Sequence, residues 1–472
     1  MRSSGILMHI STLPGKYGCG AFGKEAYDFV DFLAESGFKI WQTLPFGVPD
    51  QYGSPYKSYS AFAGNPYFID LDTLAKDGLL TAEELKEAAQ NTPYLCEFER
   101  LAEERLPLLK KAFARFTDHA KANELVAGYP HLQAYCRFMA LRQANPDCDW
   151  TDFSSDADKD EIAFHTFLQY TFLTQWTALK DYANGKGISI IGDIPIYVDY
   201  DSADVWENPR LFQLDENNRP EAVAGVPPDY FSPDGQLWGN PLYNWDAMKA
   251  DGYQWWRDRM NWQLTLFDGI RIDHFRGFSA YFSVPADATT AKDGHWVKGP
   301  GLDFVEVLKE AAGDKLIIAE DLGDIDADVV ALLKASGLPG MKVFQFAFLA
   351  EDSVHKPHFY PENCVAYSGT HDNNTLLGYL WELDDETRRY MLSYCGHRGE
   401  WQAGCDTILR TLLRTPAERV VFPIQDILGY GADTRMNTPG VAKGNWAYRV
   451  TAEQIGGIDR GYWKWLNKMY GR

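Results

Sequence analysis

Eight short apolar runs, separated by stretches of helical periodicity, constrain the fold of this chain more than any other feature. They are residues 6–11, 39–45, 188–198, 268–275, 315–323, 341–346, 364–372 and 419–428. Apolar residues recur at helical spacing between most of these runs, although no helix is predicted between the sixth and the seventh. Eight strands that alternate with helices predict an α/β fold of the (β/α)8 TIM-barrel class, in which functional groups lie at the carboxyl ends of the strands.

Two connections are too long for simple crossovers. Residues 72–165 follow the second predicted strand, and their pattern predicts an inserted helical subdomain. Residues 199–254 follow the third strand, are rich in Pro, Gly, Asp and Trp, and predict a loop subdomain over the barrel mouth. Because the chain has no internal repeat and no Gly/Ser linker, we expect one catalytic barrel over residues 1–472 that includes both insertions.

The charge and the aromatic content restrict the ligand. A net charge of −21 disfavours nucleic acid and anionic membranes as partners. The 15 Trp, 26 Tyr and 27 Phe residues suit a cleft for a neutral, polyhydroxylated molecule, although they also suit a large core. No apolar run approaches the roughly 18 residues of a membrane span.

Seven scattered cysteines without a C-x-x-C pair predict reduced thiols rather than a zinc site or a disulfide framework. We therefore expect a cytoplasmic protein without a zinc site. No other metal, no cofactor and no obligate protein partner are expected either. One G-x-G-x-x-G sequence, at residues 18–23, imitates a dinucleotide site. The preceding strand ends near Ser11, however, so the tight strand-to-helix turn of such a site is missing.

The segment 267–276, FDGIRIDHFR, places charge inside a strand that is otherwise apolar. Side chains alternate along a strand, so Ile270 and Ile272 share one face while Arg271 and Asp273 share the other. In a barrel, the isoleucines would pack outward on helices, and the charged pair would point toward the axis. Taken alone, the pair is equally consistent with a structural ion pair.

Other predicted strands repeat this feature at their carboxyl ends, with Asp193, Glu320, Asp321, His371 and Asp372. Burying several like charges together is costly, and neighbouring carboxylates drive their pKa values apart. Glycoside cleavage requires two carboxyl groups in different protonation states. The configuration would be retained if the two groups lie about 5–5.5 Å apart, a distance that the sequence leaves open.

Aromatic residues follow the second and third strands. In residues 225–243, prolines and glycines would hold Phe231, Trp238 and Tyr243 over the barrel mouth, where rings can stack on sugars. A loop packed on its own aromatic rings is the alternative. Tyr56 and Tyr59 lie after the second strand and add weaker support for the same mouth.

These segments together resemble the 4-α-glucanotransferase family (amylomaltase or disproportionating enzyme, glycoside hydrolase family 77), a relative of the α-amylases. The resemblance spans nearly the whole chain, through GILMHISTLP, SPYKSYSAFAGNP, GDIPIYV, GVPPDYFSPDGQLWGNPLY, IRIDHFRG, IIAEDLG, SGTHDN and GNWAYRV. It implies a retaining transfer between α-1,4-glucans, including maltooligosaccharides, without a metal or cofactor. Some members carry additional N-terminal domains, which are not expected here.

The resemblance also implies roles for individual residues. Asp273 would be the nucleophile, Glu320 the general acid and then base, and Asp372 the third carboxylate that holds sugar hydroxyls. Arg271 would keep Asp273 in its charged form. Substrate-binding roles are implied for Tyr56, which would stack on the sugar, for Asp193 and His371, which would hydrogen-bond to it, and for Phe231, Gln236 and Trp238, which would cover the acceptor side.

Three other functions fit parts of the pattern. An α-1,4-glucan hydrolase of amylase type uses the same carboxylates, and only a covered acceptor side favours transfer over it. A metal-dependent barrel lyase would bind Mg²⁺ through carboxylates and would lose activity in EDTA, but the arginine beside Asp273 disfavours it. A non-catalytic glucan-binding protein would leave oligosaccharides unchanged.

Overall fold

The computed structural model describes residues 2–49, 53–153, 156–228, 233–441 and 443–472. Within these ranges the strands are β1 (Ser3–Leu7), β2 (Ile40–Gln42), β3 (Ser189–Ile194), β4 (Ala222–Val226), β5 (Gln236–Pro241), β6 (Gly269–Ile272), β7 (Ala280–Pro285), β8 (His295–Lys298), β9 (Leu316–Ala319), β10 (Gly340–Val343), β11 (Cys364–Tyr367) and β12 (Arg419–Pro423).

Eight of these strands form a parallel sheet in the order β10-β11-β12-β1-β2-β3-β6-β9. The amide of Ala319, in β9, donates to the carbonyl of Pro339, just before β10, and brings the two edges together into a nearly closed barrel. Each predicted strand overlaps one barrel strand, which confirms the (β/α)8 class. The predictions run past the carboxyl ends because the apolar sequence continues into buried loops at the mouth.

Helices connect most of the barrel strands. The α-helices are Lys24–Glu35, Leu71–Lys76, Ala82–Glu87, Phe98–Phe113, His119–Ala127, Pro130–Ala144, Lys159–Gly185, Ala203–Glu207, Trp245–Ala250, Gln254–Leu266, Gly301–Ala312, Ala327–Ser336, Leu376–Glu382, Asp385–Tyr394, Gly404–Arg414, Ile424–Leu428, Ala452–Gly456 and Arg460–Met469. Between β10 and β11, where all residues are described, the chain forms only short 3-10 turns.

The two long connections differ in structure. Residues 72–165 are mainly helical. The last helix that begins in this connection, Lys159–Gly185, continues beyond it and packs on the barrel. Its Trp176 indole donates to the carbonyl of Leu266. Residues 199–254 contain β4 and β5, which pair antiparallel with β7 and β8 in the order β5-β4-β7-β8. The second sheet therefore draws two strands from beyond residue 254, after the fourth barrel strand.

The barrel interior explains the alternation in 267–276. Ile270 and Ile272 are fully buried and pack in the large core between sheet and helices. The interior holds a separate apolar cluster, which includes Leu7, Ile191 and Ile318. Arg271 pairs in register with Asp193 of β3 and with Ile318 of β9, so its side chain enters this interior. In the described part of the chain, no helix is both long and apolar enough to cross a bilayer.

Candidate active site

Arg271 lies at the centre of the charged groups in the barrel. Its Nη1 donates to both carboxylate oxygens of Asp193, at 2.8 and 2.7 Å, and its Nη2 donates to Oδ1 of Asp273 at 2.8 Å. The Tyr56 hydroxyl donates to Oδ2 of Asp193 at 2.7 Å. Parallel register brings Asp193 and Arg271 side by side, and Asp273 comes one residue after β6. Arg271 thus holds Asp273 in place through one carboxylate oxygen.

Most of this charged cluster is buried. The side chains of Arg271 and Asp193 are only 4% and 1% exposed, whereas that of Asp273 is 30% exposed. Burial raises the pKa of Asp193, and Arg271 opposes that shift. Burial alone lowers the pKa of Arg271, but the two carboxylates raise it well above its usual value. The cluster therefore keeps a permanent cation beneath the one carboxylate that faces solvent.

Glu320 follows β9 and binds the backbone beside Asp273. Its Oε2 accepts from the amide of His274 at 2.7 Å, and its Oε1 accepts from the amide of Leu322 at 2.8 Å. His274 has a left-handed backbone, with φ 56°, which is uncommon outside glycine. This turn directs the amide next to the Asp273 carboxylate toward Glu320, so the two carboxyl groups occupy one site.

The protonation state of Glu320 differs from that of an ordinary carboxyl group. Burial first, and the charge of Asp273 second, raise the pKa of Glu320 to about 8, against the opposing influence of Arg271 and of the two backbone amides. Glu320 is consequently protonated near neutral pH, as a general acid must be. Arg271 donates a hydrogen bond to Asp273, whereas it acts on Glu320 through its charge. The two carboxyl groups therefore have different electrostatic environments.

This shift makes the stability of the protein depend on pH. Between pH 4.5 and about 8 the folded state keeps a proton on Glu320 that the unfolded chain loses, so stability falls as pH rises through that interval. We expect the free energy of unfolding of Glu320→Gln, relative to the unmutated protein, to rise by on the order of a few kcal/mol between pH 5 and pH 9. Urea titrations of both proteins at both pH values measure this change. A difference in the free energy of unfolding that is the same at pH 5 and pH 9 would contradict the raised pKa.

Asp372 enters the site from the loop after β11. Its Oδ1 accepts from the Asn437 side-chain amide at 2.6 Å, and its backbone carbonyl accepts from Nη2 of Arg435 at 2.6 Å. His371 Nε2 lies 3.4 Å from Asp372 Oδ2. The residues after β12 therefore fix the third carboxylate, although it remains 41% exposed at the side chain and open to a ligand.

An aromatic wall lies beside these groups. The rings of Tyr56 and His371 stack at 5.2 Å with an interplanar angle of 18°, and Trp446 packs against both at 5.7 and 5.8 Å. Trp446 and Asn437 were not singled out from the sequence. The signal for them was a Gly-, Pro- and Asn-rich segment after the last barrel strand, the same signal that marked the loop after the third strand.

Strand β5 forms another part of the site. Trp238 donates from Nε1 to Oε1 of Gln236 at 3.2 Å, and its ring meets His274 edge to face at 4.9 Å. Burial lowers the pKa of His274 to about 4, so its ring is neutral. Phe231, predicted for the same side, lies outside the described residues.

These elements enclose a cleft of about 750 Å³. Its lining includes the predicted residues Tyr56, Gln236, Trp238, Asp273, His371 and Asp372, together with Tyr197, Asn437 and Trp446. Asp193 and Arg271 are joined to this lining by their hydrogen bonds with Tyr56 and Asp273, and Glu320 accepts from the amide of the residue that follows Asp273. The structure therefore brings together the described residues to which the resemblance assigns catalytic or substrate-binding roles.

Three sequence-based expectations were wrong. Asp321 does not join the other carboxylates, because it accepts a hydrogen bond from the amide of Met341 at 2.6 Å and points between β9 and β10. Tyr243 does not project over the mouth: it is 1% exposed and donates from its hydroxyl to the carbonyl of Ile196 at 2.7 Å. Tyr59, which was expected at the same mouth, instead packs against the guanidinium of Arg142.

The donor set bears on metal binding. In the described part of the chain, no three His, Cys, Asp or Glu side chains are grouped so as to hold a metal ion. Arg271 supplies the positive charge between Asp193 and Asp273.

Known proteins share both the sequence and the fold. A family profile described as 4-alpha-glucanotransferase matches residues 8–454. The chain is 43% identical to the 4-alpha-glucanotransferase of Streptococcus pneumoniae, with 96% of this chain and 94% of that protein covered, and 42% identical to that of Thermus thermophilus, with 96% of each covered. The structure matches the amylomaltase from Streptococcus agalactiae in complex with acarbose at a TM-score of 0.95, 39% identity and full coverage of both chains.

Proposed function

Because this chain belongs to the 4-alpha-glucanotransferase family, we propose that it transfers α-1,4-glucan segments by a retaining double displacement in which Asp273 and Glu320 are the reacting carboxyls and Asp372 holds the sugar. The activity is that of a transferase on α-1,4-glucans, and the hydrolase alternative is not favoured. The residue assignment rests on the different environments of the two carboxyl groups. The pKa of Glu320 is raised to about 8, while Asp273 accepts a hydrogen bond from the Arg271 cation.

The first step cleaves the donor. Glu320 gives its proton to the glycosidic oxygen while a carboxylate oxygen of Asp273 forms a bond to the anomeric carbon, and the leaving chain departs with a free 4-hydroxyl. In the second step, ionised Glu320 takes the proton of an acceptor 4-hydroxyl, whose oxygen attacks the anomeric carbon and releases Asp273. Two inversions restore the original configuration.

The remaining groups would hold the sugar at the point of cleavage. Asp372, fixed by Asn437, would bind ring hydroxyls as the sugar distorts, with His371 beside it. Tyr56, whose ring is part of the aromatic wall, would stack on the sugar ring. The resemblance implies a hydrogen bond from Asp193 to the sugar, but its side chain is 1% exposed and bonded to Arg271 and Tyr56, so it would act through these two residues.

The acceptor side would be covered by the loop that carries Phe231, Gln236 and Trp238. Transfer requires a sugar hydroxyl to reach the glucosyl-enzyme before water does. The contact between Trp238 and His274 supports this assignment, because it places the loop next to the residue that follows Asp273.

The same proposal includes the setting of the enzyme. Maltooligosaccharides and longer α-1,4-glucans would be its substrates, and the cytoplasm its location. All seven cysteines are free thiols, six of them buried, which agrees with a reducing compartment.

Incubation of the purified protein with maltotriose alone tests the function. Free glucose together with a ladder of longer maltooligosaccharides is the expected product pattern, because one molecule donates to another. Glucose and maltose without longer products would show that water outcompetes sugar. Unchanged maltotriose would contradict catalysis on short glucans altogether.

A further inference from the structure

Two tryptophans, one exposed and the other half-buried, pack against each other outside the cleft. Trp381, near the end of the helix Leu376–Glu382, is 71% exposed, the largest value among the large hydrophobic side chains that the structure describes. Its ring meets that of Trp401 edge to face, with centroids 5.4 Å apart at 66°. Single exposed apolar residues need no explanation, but an adjacent pair of indoles on a surface indicates a binding site.

Arg388 holds this pair in place. Its guanidinium lies 4.6 Å from the centroid of the Trp401 ring, and its Nη1 donates to the carbonyls of Leu380 at 2.9 Å and Leu383 at 3.2 Å. The same side chain thus covers one face of Trp401 and closes the end of the helix that carries Trp381. Because Trp401 is half-buried and covered on one face by Arg388 without a ligand, binding on it would cost little side-chain entropy.

The pair is tied to the active-site loop. The helix that carries Trp381 is capped by Thr375, three residues after Asp372, and the side-chain amide of Asn374 donates to Oε1 of Glu382 at 2.7 Å. This helix therefore leaves the catalytic end of β11 directly, and Trp381 lies on the wall of the barrel that carries the third carboxylate.

We propose that Trp381 and Trp401 form a platform that binds an α-1,4-glucan chain outside the cleft. The inference rests on the proposed function, because the ligand is the substrate class of the enzyme itself. The flat C–H faces of glucose rings stack on indoles, while hydroxyls can reach the polar side chains of Arg388 and Gln402 at the edge of the pair.

Charge favours this ligand over a second copy of the chain. The exposed charged residues near the pair along the chain are mostly acidic: Glu382, Asp384, Asp385, Glu386 and Glu400, against Arg389 and Arg398. A symmetric dimer through this surface would bring these acidic groups face to face, which is unfavourable. An α-glucan is uncharged and meets no such repulsion.

The expected consequence depends on chain length. A polymer held on the platform has its remaining segments at a high local concentration near the cleft. Maltotriose, which is short enough to bind in the cleft alone, gains nothing from it.

The test compares Trp381→Ala and Trp381→Phe with Trp465→Ala. Trp465 is a matched control, because it is 53% exposed on the helix Arg460–Met469 and lies outside the pair. Retention in native gels that contain amylopectin is measured in an Asp273→Asn background, so that the polymer stays intact. We expect Trp381→Ala to weaken retention about tenfold, Trp381→Phe to keep most of it and Trp465→Ala to keep all of it. With Asp273 present, maltotriose disproportionation should stay within about twofold for each variant.

Equal retention of Trp381→Ala and its parent would overturn the platform. A dimer in light scattering that Trp381→Ala converts to monomers would also overturn it, since the pair would then be a protein interface. If Trp381→Ala loses retention while the protein with Asp273 present leaves maltotriose unchanged, the platform would be supported and the proposed catalysis contradicted.

Discussion

Asp273→Asn should lower the disproportionation of maltotriose by about 10⁴-fold or more, because an amide oxygen is too weak a nucleophile to form the glucosyl-enzyme. The side chain keeps its size, and Arg271 retains both hydrogen bonds to Asp193. We therefore expect a folded protein that still binds glucans. Initial rates of glucose release, with circular dichroism to monitor folding, measure the effect.

Asp321→Asn is the matched control. Asp321 is the next carboxyl group along the chain from Glu320, but its hydrogen bond to the Met341 amide can also be accepted by an asparagine oxygen. This variant should keep activity within a few-fold. Comparable losses in both variants would show that charge in this region, rather than a nucleophile at Asp273, supports the reaction.

Much of the fold could be predicted because the barrel strands are short apolar runs between helices. The position of Asp273 could be predicted for the same reason: alternation in β6 sends Arg271 inward and leaves Asp273 at the end of the strand. Glu320 and Asp372 follow from the same rule at β9 and β11. Each of these inferences needs only local periodicity and the common edge of a parallel sheet.

Other parts of the site depend on contacts between distant segments. Asn437 binds Asp372 across 65 positions, and Trp446 packs on Tyr56 across almost the whole chain. Tyr243 looked equivalent to Trp238 in the loop, yet it is buried because its hydroxyl reaches the carbonyl of Ile196. Local composition marks such segments as loops, but it does not say which ring faces the cleft and which joins the core.

The arrangement around Arg271 explains why the site tolerates several carboxyl groups. The guanidinium binds both oxygens of Asp193 and one oxygen of Asp273, whereas Glu320 accepts two backbone amides and has a raised pKa of about 8. A buried arginine cannot lose its charge at accessible pH, so Arg271 keeps Asp273 charged before the reaction. In the glucosyl-enzyme Asp273 is an uncharged ester, which removes one cause of the raised pKa of Glu320 and favours its role as a base. Proton transfer then changes only the state of Glu320.

Glu320→Gln should show a loss that depends on the leaving group. With maltotriose, activity should fall about 10²- to 10⁴-fold, because no proton reaches the departing oxygen. With α-maltosyl fluoride the first step should remain fast, since fluoride leaves without protonation, and the glucosyl-enzyme should accumulate because no base activates the acceptor. Mass spectrometry of a rapidly quenched reaction measures that intermediate on the peptide that contains Asp273.

Azide distinguishes the two duties of Glu320. As an anionic nucleophile that needs no general base, azide should release the accumulated intermediate as α-maltosyl azide and restore turnover with the fluoride donor. It should not restore turnover with maltotriose, because cleavage of that donor still lacks an acid. Equal losses with both donors, or no response to azide, would remove Glu320 from the acid–base role and leave its raised pKa a consequence of burial alone.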